Sequence, residues 1–266
     1  MSYGTHTGEH AMTSLPHNAF KQALKEGKEQ YGLWMAMASP TAAEISADAG
    51  YDWLLVDGEH GPYDLNTILD VLRAVAPYDT TPVVRPAAAA DPVLIKQVLD
   101  LGAQTLLLPM VNSKEEAELM VKAVNYAPEG IRGVGSPIAR SGRWGRIPNY
   151  MRDAKNEICL LLQCESQEAL DNIDDIASVD GVDGIFIGPA DLSASLGHPD
   201  DPAAIMDQIH HAFDVIKAHG KAVGFLAFDV PTAKQAFEWG ANFVAVAGDT
   251  DLYVRALAEG LKPFKG

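Results

Sequence analysis

The segment LLVDGEH, residues 54–60, ends an apolar run with three ionisable side chains in four positions: Asp57, Glu59 and His60. A carboxylate beside an imidazole is a common arrangement for proton transfer, because it fixes the ring tautomer and raises its basicity. An isolated loop histidine is more often structural, but the glycines of DGEHGP allow the tight turn that such a pair needs. We therefore predict that His60 transfers protons and that Asp57, three residues earlier, orients it.

Two further carboxylates, Glu165 and Asp191, each follow an apolar run. Either one alone has a structural alternative: Glu165 as part of a capping box in ESQEAL, and Asp191 as a helix N-cap in PADLSASLG. At matching positions on neighbouring strands, the pair favours a bound cation instead. Oxygen ligands suit Mg²⁺ or Mn²⁺, while Co²⁺ and Zn²⁺ stay open because two carboxylates select weakly. We predict one divalent metal ion and no organic cofactor.

Arg85 in TPVVRP follows an apolar strand and precedes Pro86, which restricts its movement. A buried cation needs a partner, and the structural alternative is an ion pair with a carboxylate of the same fold. The formal net charge of −16 would repel an anionic substrate, so a site for one needs a local cation. We predict that Arg85 receives the carboxylate or the enolate oxygen of a bound oxo acid.

Short apolar runs alternate with segments of helical period eight times from Gly32 onward. Most runs are continuously apolar, as expected for parallel strands covered on both faces; they are GLWMAMA, YDWLLVD, TPVVRP, AQTLLLPM, EICLLLQCES, VDGIFIGP, KAVGFLAF and ANFVAVAG. Ser, Thr, Asp or Pro begins the intervening segments, which is helix-cap chemistry. The pattern predicts a closed (β/α)8 TIM barrel, with an open doubly wound sheet as the alternative. In a barrel the candidate residues share one mouth.

Lysine is missing from the interiors of the predicted strands. Barrel lyases that form a Schiff base need such a lysine inside the barrel. A lyase of this fold would therefore depend on a metal to stabilise carbanion charge. One insertion, residues 130–156, is too long for an ordinary connection and predicts a functional loop or an oligomer contact.

Charge and composition exclude several classes of partner. An acidic chain lacks the clustered Lys and Arg that nucleic acid and anionic membranes require, and no apolar run reaches the roughly 20 residues of a membrane helix. Two cysteines and no apparent signal peptide favour a cytoplasmic protein. We predict a mobile N-terminal extension at residues 1–18 and a single barrel domain at residues 19–266.

Seven motifs lie in one order along the chain: DGEHGPYD, PVVRP, LIKQVLDLGAQTLLLPMV, YAPEGIRGVG, RWGRIPNY, LLQCES and GIFIGPADLSASLG. Together they resemble the HpcH/HpaI aldolases, and the resemblance runs from about Trp34 to Asp249. It implies a barrel of the phosphoenolpyruvate/pyruvate type and a metal-dependent class II lyase. Such an enzyme reversibly cleaves a 4-hydroxy-2-oxo acid to pyruvate, or hydroxypyruvate, and an aldehyde through a metal-stabilised enolate.

The resemblance also implies residue roles. Glu165 and Asp191 would bind the metal, and Arg85 would hold the pyruvyl oxygen. His60 would handle the proton on the aldehyde-derived hydroxyl, with Asp100 in KQVLDLG as its orienting partner. Asp57 and Asp100 thus stay open as alternatives for that role. Substrate-binding positions implied by the family are Gln163, Gly188, Pro189 and Ala190.

The family further implies a hexamer, a trimer of dimers, in which the last helix packs on a neighbouring barrel. LYVRALAEGLKPF is apolar enough for that role, with packing on its own barrel as the alternative. A citryl or malyl thioester lyase and a non-catalytic barrel that binds an oxo acid are the rival functions. Room for coenzyme A and extra basic residues would favour the first; a missing proton carrier or metal pair would favour the second.

Overall fold

The computed structural model describes residues 14–88, 91–199 and 201–265. Eight parallel strands close into a barrel in sequence order, with β8 pairing back to β1. The strands are β1 Gln30–Met35, β2 Trp53–Asp57, β3 Thr81–Arg85, β4 Thr105–Leu108, β5 Cys159–Cys164, β6 Gly184–Ile187, β7 Ala222–Leu226 and β8 Phe243–Gly248. Seven of the eight predicted apolar runs contain one of them, and β1 begins two residues before its run, GLWMAMA, so the predicted (β/α)8 barrel is confirmed.

Helices connect the strands and surround the barrel. They are α1 Ala19–Lys25, α2 Pro40–Asp48, α3 Leu65–Ala74, α4 Pro92–Asp100, α5 Lys114–Val124, α6 Tyr150–Asp153, α7 Gln167–Asp171, α8 Ile173–Ala177, α9 Pro189–Ser195, α10 Met206–Ala218, α11 Val230–Glu238 and α12 Asp249–Lys265. Several begin at a side-chain cap, such as Asp64 before α3 and Ser113 before α5. The insertion of residues 130–156 forms turns, α6 and one 3-10 turn.

The core has two layers. An outer layer of aliphatic side chains lies between the strands and the helices. An inner layer fills the barrel, where Phe20 of α1 packs against Trp53 and Phe243. Among the described residues, this helix closes the end where the strands begin and leaves the opposite end open to substrates. That end is the one at which the predicted site residues lie.

The predicted N-terminal extension falls mostly outside the described residues. Its last residue, Asn18, is buried and donates through its side chain to the Thr105 hydroxyl at 2.9 Å and to the Glu157 carbonyl at 2.9 Å. It also accepts a hydrogen bond from the backbone N–H of Lys21 as the N-cap of α1. The packed barrel therefore includes Asn18, one residue before the predicted start.

The last helix stands apart from its own barrel. Only Asp249 of α12 is buried, where it accepts backbone hydrogen bonds from Ala36 and Met37 at the end of β1. The apolar side chains that follow are exposed, with Phe264 at 84% and Val254 at 66%. Packing of this helix on its own barrel, one of the two alternatives, is therefore wrong. Within the described ranges, no helix combines the length and the apolar character needed to cross a membrane.

A groove lies on the barrel where a last helix usually packs. It has a volume of about 430 Å³ and runs over β1, β8 and α11. Its apolar lining residues are Tyr31, Val230, Ala233, Phe237 and Val246. Each strand of such a barrel is followed by a helix of the outer ring. Since α12 projects away, no other helix of the described residues covers this position.

Candidate active site

The mouth of the barrel holds a cavity of about 250 Å³. It collects residues from β1, β2, β3, β5, β6, β7 and β8, although they are far apart in sequence. The predicted site residues on its lining are Asp57, His60, Arg85, Gln163, Glu165, Gly188, Pro189, Ala190 and Asp191. Of the predicted set, only Asp100 lies elsewhere.

Arg85 is buried in the cavity floor and paired with Asp57. The register of β2 and β3 sets these residues side by side. The guanidinium donates through Nε to Oδ1 at 3.0 Å and through Nη2 to Oδ2 at 2.8 Å. Trp34 adds a hydrogen bond to Asp57 at 2.9 Å and places its ring 4.7 Å from the guanidinium carbon. Burial favours the neutral acid, but the charge and hydrogen bonds of Arg85 outweigh it and hold the pKa of Asp57 below its usual range.

Arg85 therefore fits both interpretations, as a structural cation and as a cation that faces the cavity. It forms a structural ion pair, and it also faces the cavity through Nη1, which lies 2.7 Å from Oε2 of Glu59 and 3.4 Å from Oε1 of Gln163. Burial raises the pKa of Glu59, and the opposing charges of Arg85 and His60 do not cancel this effect. No role for Glu59 is predicted from the sequence, because a carboxylate in a loop does not by itself reveal this contact with Arg85.

The predicted pairing of the His60 ring with Asp57 is wrong. Oδ1 of Asp57 accepts the backbone N–H groups of Glu59 at 3.1 Å and His60 at 3.2 Å, which shapes the turn. The rest of this carboxylate is engaged by Arg85 and Trp34, so none of it reaches the imidazole. The carboxylate nearest to the ring is that of Glu59, with 3.9 Å between Oε2 and Nε2 of His60. Gly58 allows this tight turn, because a Cβ there would lie 2.8 Å from the Arg85 carbonyl oxygen.

The pairing of Asp100 with His60 does not occur within one chain. Asp100 is the last residue of α4, a helix that begins at the mouth and runs toward the other end of the barrel. Its carboxylate instead accepts a hydrogen bond at 2.8 Å from Arg132, whose side chain is fully buried. The geometry of one chain separates this aspartate from the imidazole, so its role as orienting partner stays a prediction of the family resemblance.

Glu165 is buried and points into the cavity. Oε1 accepts the Met110 backbone N–H at 3.0 Å, and Oε2 accepts a hydrogen bond from the Gln163 amide. Burial, opposed by the Met110 hydrogen bond and reinforced by the charges of Asp191 and Glu59, raises the pKa of Glu165 to about 7. The capping alternative for Glu165 is wrong, because Ser166 caps α7 through its own hydroxyl.

Asp191 lies in the first turn of α9, where the N-cap is Gly188. Its alternative role as N-cap is therefore also wrong. Gly188 is required for space, since a Cβ at this position would lie 2.6 Å from Oε2 of Glu165. In the described part of the chain, no three or more His, Cys, Asp and Glu side chains gather in a metal-binding arrangement. The predicted site needs only its two carboxylates, with water and substrate oxygens as further ligands.

The donor set of this site fits a hard divalent cation. Two carboxylates line one cavity, and burial, reinforced by the charge of Asp191, raises the pKa of Glu165. A cation beside them would remove that penalty. Glu165 and Asp191 are the residues that would hold it, next to the amide of Gln163.

Several lining residues were not predicted as site residues. Apart from Trp34 these are Phe186, Leu226, Phe228, Gly248 and Thr250. Apart from Thr250 they are apolar, and together they are called the apolar side of the cavity. Phe228 is 45% exposed, and its ring lies over Gly248, where a Cβ would come within 3.1 Å of it. In the sequence they read as ordinary strand-end residues of a barrel core, so only the three-dimensional arrangement reveals them.

Comparison with known proteins identifies relatives with this architecture. Residues 30–256 match the family model of HpcH/HpaI aldolase/citrate lyase. A protein of Escherichia coli K12 named 2-keto-3-deoxy-L-rhamnonate aldolase is 52% identical over 96% of both chains. A family protein of Burkholderia cenocepacia J2315 has a solved structure with a TM-score of 0.89 and 35% identity, covering 94% of this chain and 100% of that one.

The citrate synthase SbnG is a more distant relative with the same fold. Its structure gives a TM-score of 0.82 at 31% identity, over 92% of this chain and 96% of that one. The predictions of the family and of an aldolase are confirmed by these relatives. The chain belongs to the HpcH/HpaI aldolase/citrate lyase family.

Proposed function

We propose that the protein is a class II aldolase that reversibly cleaves a 2-keto-3-deoxy sugar acid to pyruvate and a short aldehyde. The observation that carries this proposal is one cavity holding Arg85, Glu165, Asp191 and His60 together. A barrel that only binds an oxo acid has no need for a metal pair and a proton carrier. The 52% identical relatives are named as aldolases of 2-keto-3-deoxy-L-rhamnonate, which supports this substrate over a thioester.

The deepest part of the cavity suits the pyruvyl half of the substrate. Arg85 provides a fixed positive charge there, because Asp57 and Trp34 hold its guanidinium in place before any substrate arrives. A preorganised cation stabilises an oxygen that gains negative charge during the reaction. Gln163 and the backbone of Gly188 to Ala190 line the adjacent wall and would orient the carboxylate. A divalent cation held by Glu165 and Asp191 supplies Lewis acidity at the ketone oxygen when bound.

His60 is suited to the other half of the reaction. Its side chain is 68% exposed at the mouth, so it can exchange protons with water and with a hydroxyl at C4. In cleavage the imidazole takes the proton of that hydroxyl as the bond between C3 and C4 breaks. In synthesis it returns the proton to the new alkoxide. Mg²⁺ or Mn²⁺ is the proposed metal, and a cytoplasmic location stays a prediction.

Deuterium exchange into pyruvate tests the proposal directly. The protein with Mn²⁺ in deuterated water is expected to exchange the methyl protons of pyruvate, and EDTA is expected to stop it. His60→Ala should slow cleavage by about 10²-fold or more while exchange falls by less than about threefold, because the ring is assigned to the C4 hydroxyl, which takes no part in exchange. Proton NMR measures both rates. Exchange that survives EDTA, or equal losses in the two assays, would contradict these assignments.

The apolar side of the cavity supports a neutral aldehyde with a methyl end. Cleavage of 2-keto-3-deoxy-L-rhamnonate between C3 and C4 would release lactaldehyde, whose terminal carbon is a methyl group. Among the described residues that line the cavity, Arg85 is the only arginine or lysine. A carboxylate at the far end of the aldehyde would therefore have no arginine or lysine among these lining residues to pair with.

Phe228 is expected to set the preference among aldehydes. Wild type should favour lactaldehyde over glycolaldehyde by about 10-fold, the value of one buried methyl. Phe228→Ala should bring the ratio of the two kcat/KM values close to one, whereas Phe228→Leu should keep most of it. Coupled assays of synthesis from pyruvate give both values, with pyruvate exchange as the control for an intact metal site. An unchanged ratio in Phe228→Ala would remove this residue from aldehyde recognition.

The uncovered groove and the projecting helix support an oligomer. The exposed apolar stripe of α12 consists of Val254, Leu257, Leu261 and Phe264, at the spacing of one helix face. The groove over β1, β8 and α11 is lined by five apolar residues together with Glu29, Lys234 and Glu238, and the described residues leave it open. We propose that the helix of a second copy occupies it, in the hexamer that the family resemblance implies.

A charge on the stripe is expected to break the assembly. Leu257→Glu should shift the protein from a multiple of the chain mass to the monomer, because it would bury an unpaired charge in the groove. Arg255→Glu places the same side chain on the opposite, polar face of α12 and should leave the mass unchanged. Light scattering after size-exclusion chromatography separates these results. An assembled Leu257→Glu protein, with a native circular dichroism spectrum, would refute the proposed contact.

A further inference from the structure

The Glu59 carboxylate lies between the two groups that serve different halves of the reaction. Its Oε2 atom is 2.7 Å from Nη1 of Arg85 and 3.9 Å from Nε2 of His60. Its side chain is only 18% exposed, whereas that of His60 is 68% exposed. Asp57 and Asp191 are the other charged groups close enough to influence Glu59. Glu59 thus contacts Arg85, which would bind the substrate oxygen, and lies close to His60, which would carry the proton.

The contact with Arg85 occupies the side of the guanidinium that a substrate needs. Nε and Nη2 are bound by Asp57, which is buried and cannot leave without stranding a charge. Nη1 is the nitrogen that faces Gln163 and, through it, Glu165. A pyruvyl oxygen held between Arg85 and the two metal carboxylates must approach Nη1. Glu59 holds that position as an internal anion.

We propose that Glu59 is a positioning residue that exchanges partners during the reaction. It binds Nη1 of Arg85 until an incoming oxo acid displaces it toward His60. A movement of about 1 Å shortens the separation of 3.9 Å to hydrogen-bonding distance. The carboxylate then orients the imidazole and makes it more basic, in the role first assigned to Asp57. This inference rests on the proposed aldolase function.

The exchange of partners makes the histidine depend on bound substrate. Before binding, the carboxylate is shared with Arg85 and supports the ring weakly. After binding, the same carboxylate supports the ring alone. The pH dependence of kcat/KM reports free protein and that of kcat reports the complex. The rising limb of kcat for cleavage is therefore expected at higher pH than that of kcat/KM in wild type.

Glu59→Gln tests the proposal, because it keeps the size of the side chain and removes its charge. Pyruvate exchange should persist within about threefold and the KM for pyruvate should fall, since the competing anion is gone. The kcat of cleavage should fall by about 10-fold or more, and the gap between the two pH limbs should close. Glu118→Gln, an exposed substitution on α5, should change none of these values.

Two results would overturn the proposal. If Glu59→Gln raises the KM for pyruvate and loses exchange and cleavage equally, then Glu59 only supports Arg85. If wild type shows no gap between the limbs, then the carboxylate does not change partner, and this result needs no variant at all. Wild type that exchanges no pyruvate protons with Mn²⁺ would refute the aldolase function instead, whatever Glu59 does. Thermal unfolding of each variant shows that the barrel is intact.

Discussion

Replacing Arg85 by alanine is expected to reduce both pyruvate exchange and cleavage by about 10²-fold or more. The guanidinium is the preorganised positive charge beside the reacting oxygen, and no other arginine or lysine of the described lining residues can substitute for it. Removing it also leaves Asp57 buried without its cation, so a loss of stability accompanies the loss of rate. Exchange and cleavage rates measured by NMR report the first effect, and thermal unfolding reports the second.

Matched variants separate the two effects. Arg85→Lys keeps the charge but cannot form the paired hydrogen bonds with Asp57, so it should retain part of the stability and little of the rate. Asp57→Asn should weaken the paired hydrogen bonds from Arg85 without removing the positive charge from the cavity. Full exchange activity in a folded Arg85→Ala protein would show that the guanidinium is purely structural. Equal residual rates in the alanine and lysine variants would show that position, and not charge alone, is what the reaction uses.

Replacing Glu165 by glutamine is expected to abolish measurable Mn²⁺ binding and, with it, pyruvate exchange. The pKa of Glu165 is raised to about 7, so in the metal-free protein a proton occupies this carboxylate at lower pH. Metal must displace that proton, and its apparent affinity should rise about tenfold per pH unit below 7 and level off above it. Titration of Mn²⁺ followed by electron paramagnetic resonance measures the affinity at each pH.

The direction in which Mn²⁺ affinity changes with pH tests the role of Glu165. A carboxyl whose pKa is raised in the folded protein is neutral at pH 5 and charged at pH 8, so the metal binds better at the higher value. Glu168→Gln, an exposed neighbour on α7, serves as the control and should leave the titration unchanged. Affinity that stays constant from pH 5 to pH 8 in wild type would mean that Glu165 is not a ligand.

The fold was predictable because each strand is a continuous apolar run between capped helices. The site was predictable in part for the same reason: residues that follow parallel strands must meet at the mouth of a barrel. The sequence left open whether Arg85 is structural or functional, since both require a buried guanidinium next to a carboxylate. The register of β2 and β3, which sets Asp57 beside Arg85, settles the partner.

Other features depend on side-chain directions that the sequence pattern does not contain. Asp57 and His60 share a turn, yet the Asp57 carboxylate points to Arg85. It accepts a hydrogen bond from the backbone N–H of His60 and does not contact the imidazole ring. Glu59 was unremarkable as a loop carboxylate until its distance to Arg85 was known. The apolar residues of LYVRALAEGLKPF predicted a last helix that packs on a barrel, but they do not say whether that barrel belongs to the same chain.

Phe20 and the core residues around it close one end of the barrel, so among the described residues the mouth is the open end. This constrains the order in which the reactants bind and leave. Arg85 and Glu165 are buried in the cavity floor, whereas His60 and Phe228 are exposed at the mouth. The three-carbon acid must therefore enter before its aldehyde partner and depart after it. Ordered kinetics thus follow from the way the first helix seals the base of the molecule.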